Sequence, residues 1–188
     1  MTDFENINIP DILPLLPVRD MVMYPSVLLP LFVGRDMSIN AVEKSLSQDR
    51  LIVVAAQKDL TDEDPLPERI YSVGVVSQIM RMLRLPDGRV KVLIQGLKKA
   101  KIEQYLQETP TFLVRLTAIE EPIITEITLE IEALMRYVKE EMEKVVSMGR
   151  MVPPDILMVL DTIDEPGRLA DIAAANLGLN VDKAQEVL

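Results

Sequence analysis

The stretch Leu83-Arg84-Leu85-Pro86-Asp87-Gly88-Arg89-Val90-Lys91-Val92-Leu93-Ile94-Gln95 decides the fold. Pro86-Asp87-Gly88 is a turn signal, because proline presets the first turn dihedral and glycine accepts a left-handed one. After it, Val90, Val92 and Ile94 alternate with Arg89, Lys91 and Leu93, the two-residue period of a strand. Before it, Tyr71 to Leu85 is long and rich in β-branched residues, with Gly74 a candidate bulge. Together these predict a long antiparallel hairpin.

Further strands are expected on both sides of it. Ile12–Val18 and Leu28–Val33 are short apolar runs broken by prolines, which predicts edge strands or strand ends. Leu51–Ala56 is continuously apolar and predicts a buried strand. Ala100–Tyr105 and Phe112–Ile119 predict two more. One helix interrupts them, with Asp36 as N-cap and Ile39, Val42 and Leu46 on its inner face.

The character of the chain changes near Glu120-Glu121-Pro122. Ten of the 13 prolines lie between Pro10 and Pro122, and none lies between Ile123 and Met148. Net charge is -3 before the boundary and -7 after it. Beyond it, Ile127, Ile131, Leu134, Val138, Met142 and Val145 form one stripe of a long helix that Gly149 ends. Shorter helices are expected from about Pro154 to Thr162, after Asp164 with Pro166 in the first turn, and from Asn180. The expected class is α+β: a β-rich domain at 1–121 and a helical region at 122–188. A chain that ends within an amphipathic segment suggests a piece of a longer protein, with a natural C-terminus as the alternative.

Composition removes most chemistries. The 188 residues contain neither Cys nor His, which excludes disulfides, thiol nucleophiles, Ser-His-Asp triads and ordinary zinc sites. The seven glycines are isolated, so no phosphate-cradling motif exists. Lys44-Ser45 is the one adjacent Ser-Lys pair, on the expected exposed side of its helix, where neighbours do not face each other. Asp59, Asp62, Glu63 and Asp64 read as a solvated loop, and Lys98, Lys99 and Lys101 as a charged strand face. A net charge of -10 disfavours nucleic acid and anionic membranes. Met1 to Asn8 lacks an apolar run, and no apolar stretch is long enough to span a bilayer, which makes the cytoplasm the expected location.

Apolar surface is what remains. Met21, Met23 and Tyr24 precede Pro25, and Ile79, Met80, Met82, Leu83 and Leu85 crowd the hairpin before its turn. Strict alternation puts Ile79, Leu83 and Leu85 on one strand face and Met80 and Met82 on the other. Core packing on one face with a domain contact on the other is one reading; an adaptable apolar patch is the other, since methionine suits surfaces that accept varied partners. The candidate binding residues are Met23, Tyr24, Pro25, Ile79, Met82, Leu83 and Leu85.

These residues belong to a longer pattern. Leu13-Pro14-Leu15-Leu16-Pro17-Val18-Arg19-Asp20-Met21-Val22-Met23-Tyr24-Pro25, followed by Leu29-Pro30-Leu31-Phe32-Val33-Gly34-Arg35, resembles the opening of the Lon protease N-terminal domain. Val54-Ala55-Ala56-Gln57-Lys58-Asp59, Tyr71-Ser72-Val73-Gly74-Val75-Val76, the hairpin through Leu97, Pro153-Pro154-Asp155 and Leu169–Leu177 are similar to later parts of it, in order. The resemblance implies a PUA-like β-rich pseudo-barrel followed by a helical bundle. It implies a non-catalytic part of an ATP-dependent serine protease that captures unfolded, damaged or degron-bearing proteins and supports a hexamer. ATP, Mg and the Ser-Lys protease would then belong to the longer parent, with no cofactor in this chain. The alternative is a self-standing PUA-like module with a protein or RNA ligand.

Overall fold

The computed structural model describes residues 7–121, 124, 126–149 and 152–188. The residues read for a leader at 1–6, and the boundary residue Pro122, lie outside the described residues. The strands are β1 (Ile12–Val18), β2 (Leu28–Val33), β3 (Leu51–Ala56), β4 (Val73–Arg84), β5 (Val90–Gln107) and β6 (Leu113–Ala118). The α-helices are α1 (Asp36–Leu46), α2 (Leu129–Ser147), α3 (Asp155–Asp161), α4 (Pro166–Asn176) and α5 (Val181–Val187). The class is α+β.

The sheet order is β2-β5-β4-β3-β1-β6, and an added β5–β6 pairing closes β1, β3, β4, β5 and β6 into a barrel. Strand β5 makes this possible. Its residues Ala100–Gln107 pair with β6, while Val90–Gln95 run on past the barrel and pair with β2. Sequence reading divided β5 into two strands, one ending at Gln95 and the next beginning at Ala100. The chain instead stays extended there, because Gly96 admits the backbone of Tyr24: a Cβ would lie 2.1 Å from the Tyr24 carbonyl oxygen. Gly74 likewise makes room for the Val54 carbonyl, and the β4–β5 register shifts twice: at Val76/Ser77, where Leu97 of β5 is the extra residue, and at Ile79/Arg81, where Met80 of β4 is.

The prolines of β1 do not make it an edge strand. It lies between β6 and β3, but Ile12–Pro14 pair with β6 and Leu15–Val18 with β3. Each half is thus paired on one side within these ladders, and Pro14 and Pro17 can sit where no ladder donor is needed. Strand β2 is an edge, paired only with β5 among the described residues. Gly96 donates to the Val27 carbonyl. The alternation of an antiparallel ladder then turns the backbone of Leu28, Pro30 and Phe32 away from β5. Pro30 lacks its N–H at an outward position, which also blunts the open edge.

Two apolar layers flank the sheet. One holds Leu15, Val53, Val76, Ile102, Phe112 and Val114 inside the barrel. The other joins Ile52, Val54, Ile79, Val92 and Ile94 to Ala41 and Val42 of α1. Arg35 rather than Asp36 occupies the N-cap of α1, and Ser45 faces inward, donating to the Leu51 carbonyl. In the helical region Met142, Leu160, Leu169 and Ile172 form a third core. Thr128 and Asn180 cap α2 and α5 through their side chains. Glu165, not Asp164, is the N-cap of α4. The covered stripe of α2 runs through Met135, Val138, Met142 and Val145. Leu134 and Tyr137, in the first half, are exposed.

Candidate functional site

The seven residues singled out from sequence separate in space. Met23 and Ile79 are buried against α1 and the sheet, and Tyr24 is buried among Ala56, Ala174 and Ala184. These three are core residues and offer no free surface. Pro25, Met82 and Leu85 are half-buried, and only Leu83 stands in solvent. The Met-rich segment before Pro25 reads as a patch in sequence; in three dimensions it is a joint. The Tyr24 hydroxyl donates to the Ala184 carbonyl of α5 at 2.6 Å. Burial, with the field of Asp171, pushes its phenol up to about 12.

The bulge in β4 explains the hairpin residues. Ile79 opposes Ile94, and the next pair is Arg81 with Leu93. Met80 is the inserted residue, and alternation resets after it. Met82 therefore opposes buried Val92 and packs against the α1 layer with Ile79, instead of opposite to it. Leu83 opposes Lys91, which also opposes Phe32. Directly opposed residues of an antiparallel pair point to the same side. One open face of β2, β5 and β4 thus carries Leu28, Pro30, Phe32, Leu83, Leu93, Arg81 and Lys91.

This face is strongly apolar and open. Phe32 is 61% exposed, Leu83 56%, Leu28 51%, and Met80 beside the bulge 44%. The Lys91 ammonium stands 5.3 Å from the Phe32 ring centroid, a cation–π distance. The face adjoins a groove of about 740 Å³ along the free edge of β2, with Leu16, Met21, Leu31 and Leu60 in its walls and Arg19 and Asp20 among its polar groups. Sequence reading missed Leu28 and Phe32. Their signal is that β2 is apolar at every position, yet carries a proline that keeps it at an edge with one face uncovered.

The other polar clusters are structural. Arg35 donates to the Pro17 carbonyl at 2.6 Å, to Gln57 Oε1 at 2.7 Å and to the Glu63 carbonyl at 3.1 Å. Its guanidinium pKa is lowered, chiefly by burial and also by Arg19. The acidic loop is held by Arg69, within 3.7 Å of Asp59 and 3.6 Å of Asp62, and by Gln57. Each lysine of the basic trio has an acidic partner: Lys98 with Glu120, Lys101 with Glu103, and Lys99 with both Glu121 and Asp171 at 3.0 Å. That arrangement leaves little free cationic surface for a phosphate backbone. Among the described residues no group of three or more acidic side chains could hold a metal ion. No described helix is long and apolar enough to cross a membrane.

A closed mixed barrel with a helical appendage and an uncovered apolar flap defines a binding domain. The chain belongs to the family of Lon substrate-binding domains: the model of the ATP-dependent protease La (LON) substrate-binding domain matches residues 12–188. It is 55% identical over 184 residues to the Lon protease of Geobacter metallireducens and 50% identical over 184 residues to that of Trichlorobacter lovleyi. Each match takes in 98% of this chain and 22% of the relative, so the chain spans about a fifth of the length of these relatives. In structure it is similar to the N-terminal domain of Mycobacterium avium complex Lon protease, with a TM-score of 0.72 at 22% identity, over 94% of this chain and 89% of the other. A Lon N-terminal domain protein from Xanthomonas campestris gives a TM-score of 0.55 at 18% identity, over 84% of this chain and 94% of the other. The structural likenesses show the shared fold, and the family match assigns the chain to the Lon substrate-binding domains.

Proposed function

We propose that the chain captures unfolded or degron-bearing protein segments on the open face of β2, β5 and β4 for a longer ATP-dependent serine protease. The observation that carries this is the exposure of Phe32, Leu83 and Leu28 together on one sheet face. Unfolded segments expose Leu, Phe and Met, and burying a few hundred Å² of such surface at about 25 cal/mol per Å² gives several kcal/mol before association costs. A single site would bind at roughly micromolar affinity or weaker. A hexamer would raise this through multivalency.

The first half of α2, with Leu134 and Tyr137 uncovered, supports self-association as the second role. ATP, Mg and the Ser-Lys chemistry would lie in the remainder of the parent, and the whole in the cytoplasm. Residues 1–121 and 122–188 act as two units in this reading. The last strand ends at Ala118 and the next helix begins at Leu129, which supports it.

The test is anisotropy binding of the chain to a labelled, permanently unfolded protein. The double variant Phe32→Ser, Leu83→Ser should weaken binding at least tenfold while keeping its circular dichroism and melting temperature, since both side chains already face water. Unchanged affinity in the folded variant would remove this face from consideration.

A further inference from the structure

The open face carries cations in a chain whose overall charge is negative. From Met80 to Lys91 there are four basic residues, Arg81, Arg84, Arg89 and Lys91, and one acidic residue, Asp87. Two of the four are engaged: Arg84 binds Glu43 of α1, and Arg89 binds Asp87 at 2.7 Å. Arg81 and Lys91 have no ion-pair partner among the described residues. Cross-strand pairing places them on the apolar face, Arg81 opposite Leu93, and Lys91 between Phe32 and Leu83.

We infer that this face selects apolar segments that carry acidic residues, the carboxylates meeting Arg81 and Lys91 while Leu or Phe side chains cover Phe32 and Leu83. This rests on the apolar-capture reading and adds the charge preference to it. Cβ positions along an extended segment alternate between faces at about 3.3 Å per residue, so an acidic residue two places from an apolar anchor reaches the neighbouring row. The net charge of -10 would repel such a segment at long range. Screening with a Debye length of about 8 Å at physiological salt confines that repulsion, so contact with the two local cations decides affinity. Two exposed ion pairs together supply roughly a 2- to 30-fold preference. Basic segments, drawn by the overall charge, would meet Arg81 and Lys91 at the site and be disfavoured there.

The experiment uses three labelled peptides with the same Leu and Phe positions and Glu, Gln or Lys between them. The Glu peptide should bind at least threefold tighter than the Gln peptide and the Lys peptide weakest, with the spread shrinking in 0.5 M salt, a concentration that screens exposed pairs to about 4 Å. Arg81→Glu with Lys91→Glu, both exposed positions, should reverse the order. Equal affinities within twofold, or a Glu preference that survives the double reversal, would overturn the charge preference. If the Gln peptide still binds, and loses binding in the Phe32→Ser, Leu83→Ser variant, apolar capture stands without it. Failure of all three peptides to bind would overturn both. So would sedimentation showing that the Ser variant merely converts a dimer to a monomer, which assigns the face to a second copy.

Discussion

The Lys99 ammonium of β5 lies 3.0 Å from the Asp171 carboxylate of α4, joining the barrel to the helical region through a nearly solvent-free ion pair. Glu121 completes a triad at 3.0 Å from the same ammonium. Burial pushes the Asp171 carboxyl up to about 6, against the attraction of Lys99, and Glu121 and Glu165 add to the rise. Burial works to lower the Lys99 pKa, but the hydrogen bonds to Glu121 and Asp171 outweigh it, so that group is raised and remains charged.

A pH dependence follows. Asp171 binds its proton more tightly folded than unfolded. Its contribution to stability is therefore fully present below the ordinary carboxylate pKa of about 3.8 and is lost as pH rises to about 6. Chemical denaturation from pH 4 to pH 7 should show that loss in the native chain and a flatter profile in Asp171→Asn. Identical profiles would remove Asp171 from the pH response.

Removing the cation should cost more than removing the acid. In Lys99→Ala, Asp171 stays buried without its counter-charge, and about 3 kcal/mol should be lost at pH 8. At pH 5 the carboxyl protonates and the loss should shrink. A cost that is the same at both pH values would argue against an uncompensated carboxylate as its cause.

Gly96→Ala should be among the most damaging small substitutions. Its Cβ would meet backbone, the Tyr24 carbonyl at 2.1 Å, which no side-chain rotation relieves. Separation of β5 from the Tyr24 segment should cost roughly 2–4 kcal/mol, at the upper range for single changes. The melting temperature would fall by about 2–4 °C per kcal/mol for a chain of this size. Gly88→Ala has no such neighbour, only the left-handed turn conformation with φ of 85°, and should cost about 1 kcal/mol.

Tyr24→Phe should cost about 1 kcal/mol, the net value of one hydrogen bond. The Ala184 carbonyl also accepts from the Leu188 amide at 3.2 Å, so it is not left bare. Hydrogen exchange should quicken in α5 and hardly at all in β3. Uniform acceleration across the chain would mean that Tyr24 supports the whole fold instead of docking α5.

Arg35→Lys should not behave as a conservative change. Three acceptors from β1, the Gln57 side chain and the acidic loop converge on one guanidinium fork, and an ammonium cannot match that plane. A loss of about 2 kcal/mol, with faster proteolysis within residues 59–66, is expected. A Lys variant as stable as the native chain would show that the loop is held by Arg69 and Gln57 alone.

Much of this architecture is legible in the sequence. Pro86-Asp87-Gly88 with its alternating flanks specifies the hairpin, because turn dihedrals and two-residue periodicity are local. The turn forms as expected, with Gly88 donating to Leu85 and a left-handed φ. The same holds for Gly149 after α2. The resemblance carried by the Leu13–Arg35 stretch led to the family for a related reason, since it depends on residue order.

Facing was not legible. The bulge at Ile79/Arg81 reverses which of Met82 and Leu83 is covered, and a bulge depends on the partner strand. Tyr24 and Met23 look like a surface patch until α4, α5 and α1 pack over them. Gly96 lies between two separately expected strands, yet β5 runs through it and it is a crossing point for Tyr24, 72 residues earlier. By itself the sequence determined the local elements, the absence of thiol and imidazole chemistry, and an excess of aliphatic surface. Tertiary structure alone decided which of that surface remains in water. Burial is set by contacts distant in sequence, and β2, held only by β5 and turned outward at Leu28 and Phe32, is where those contacts stop.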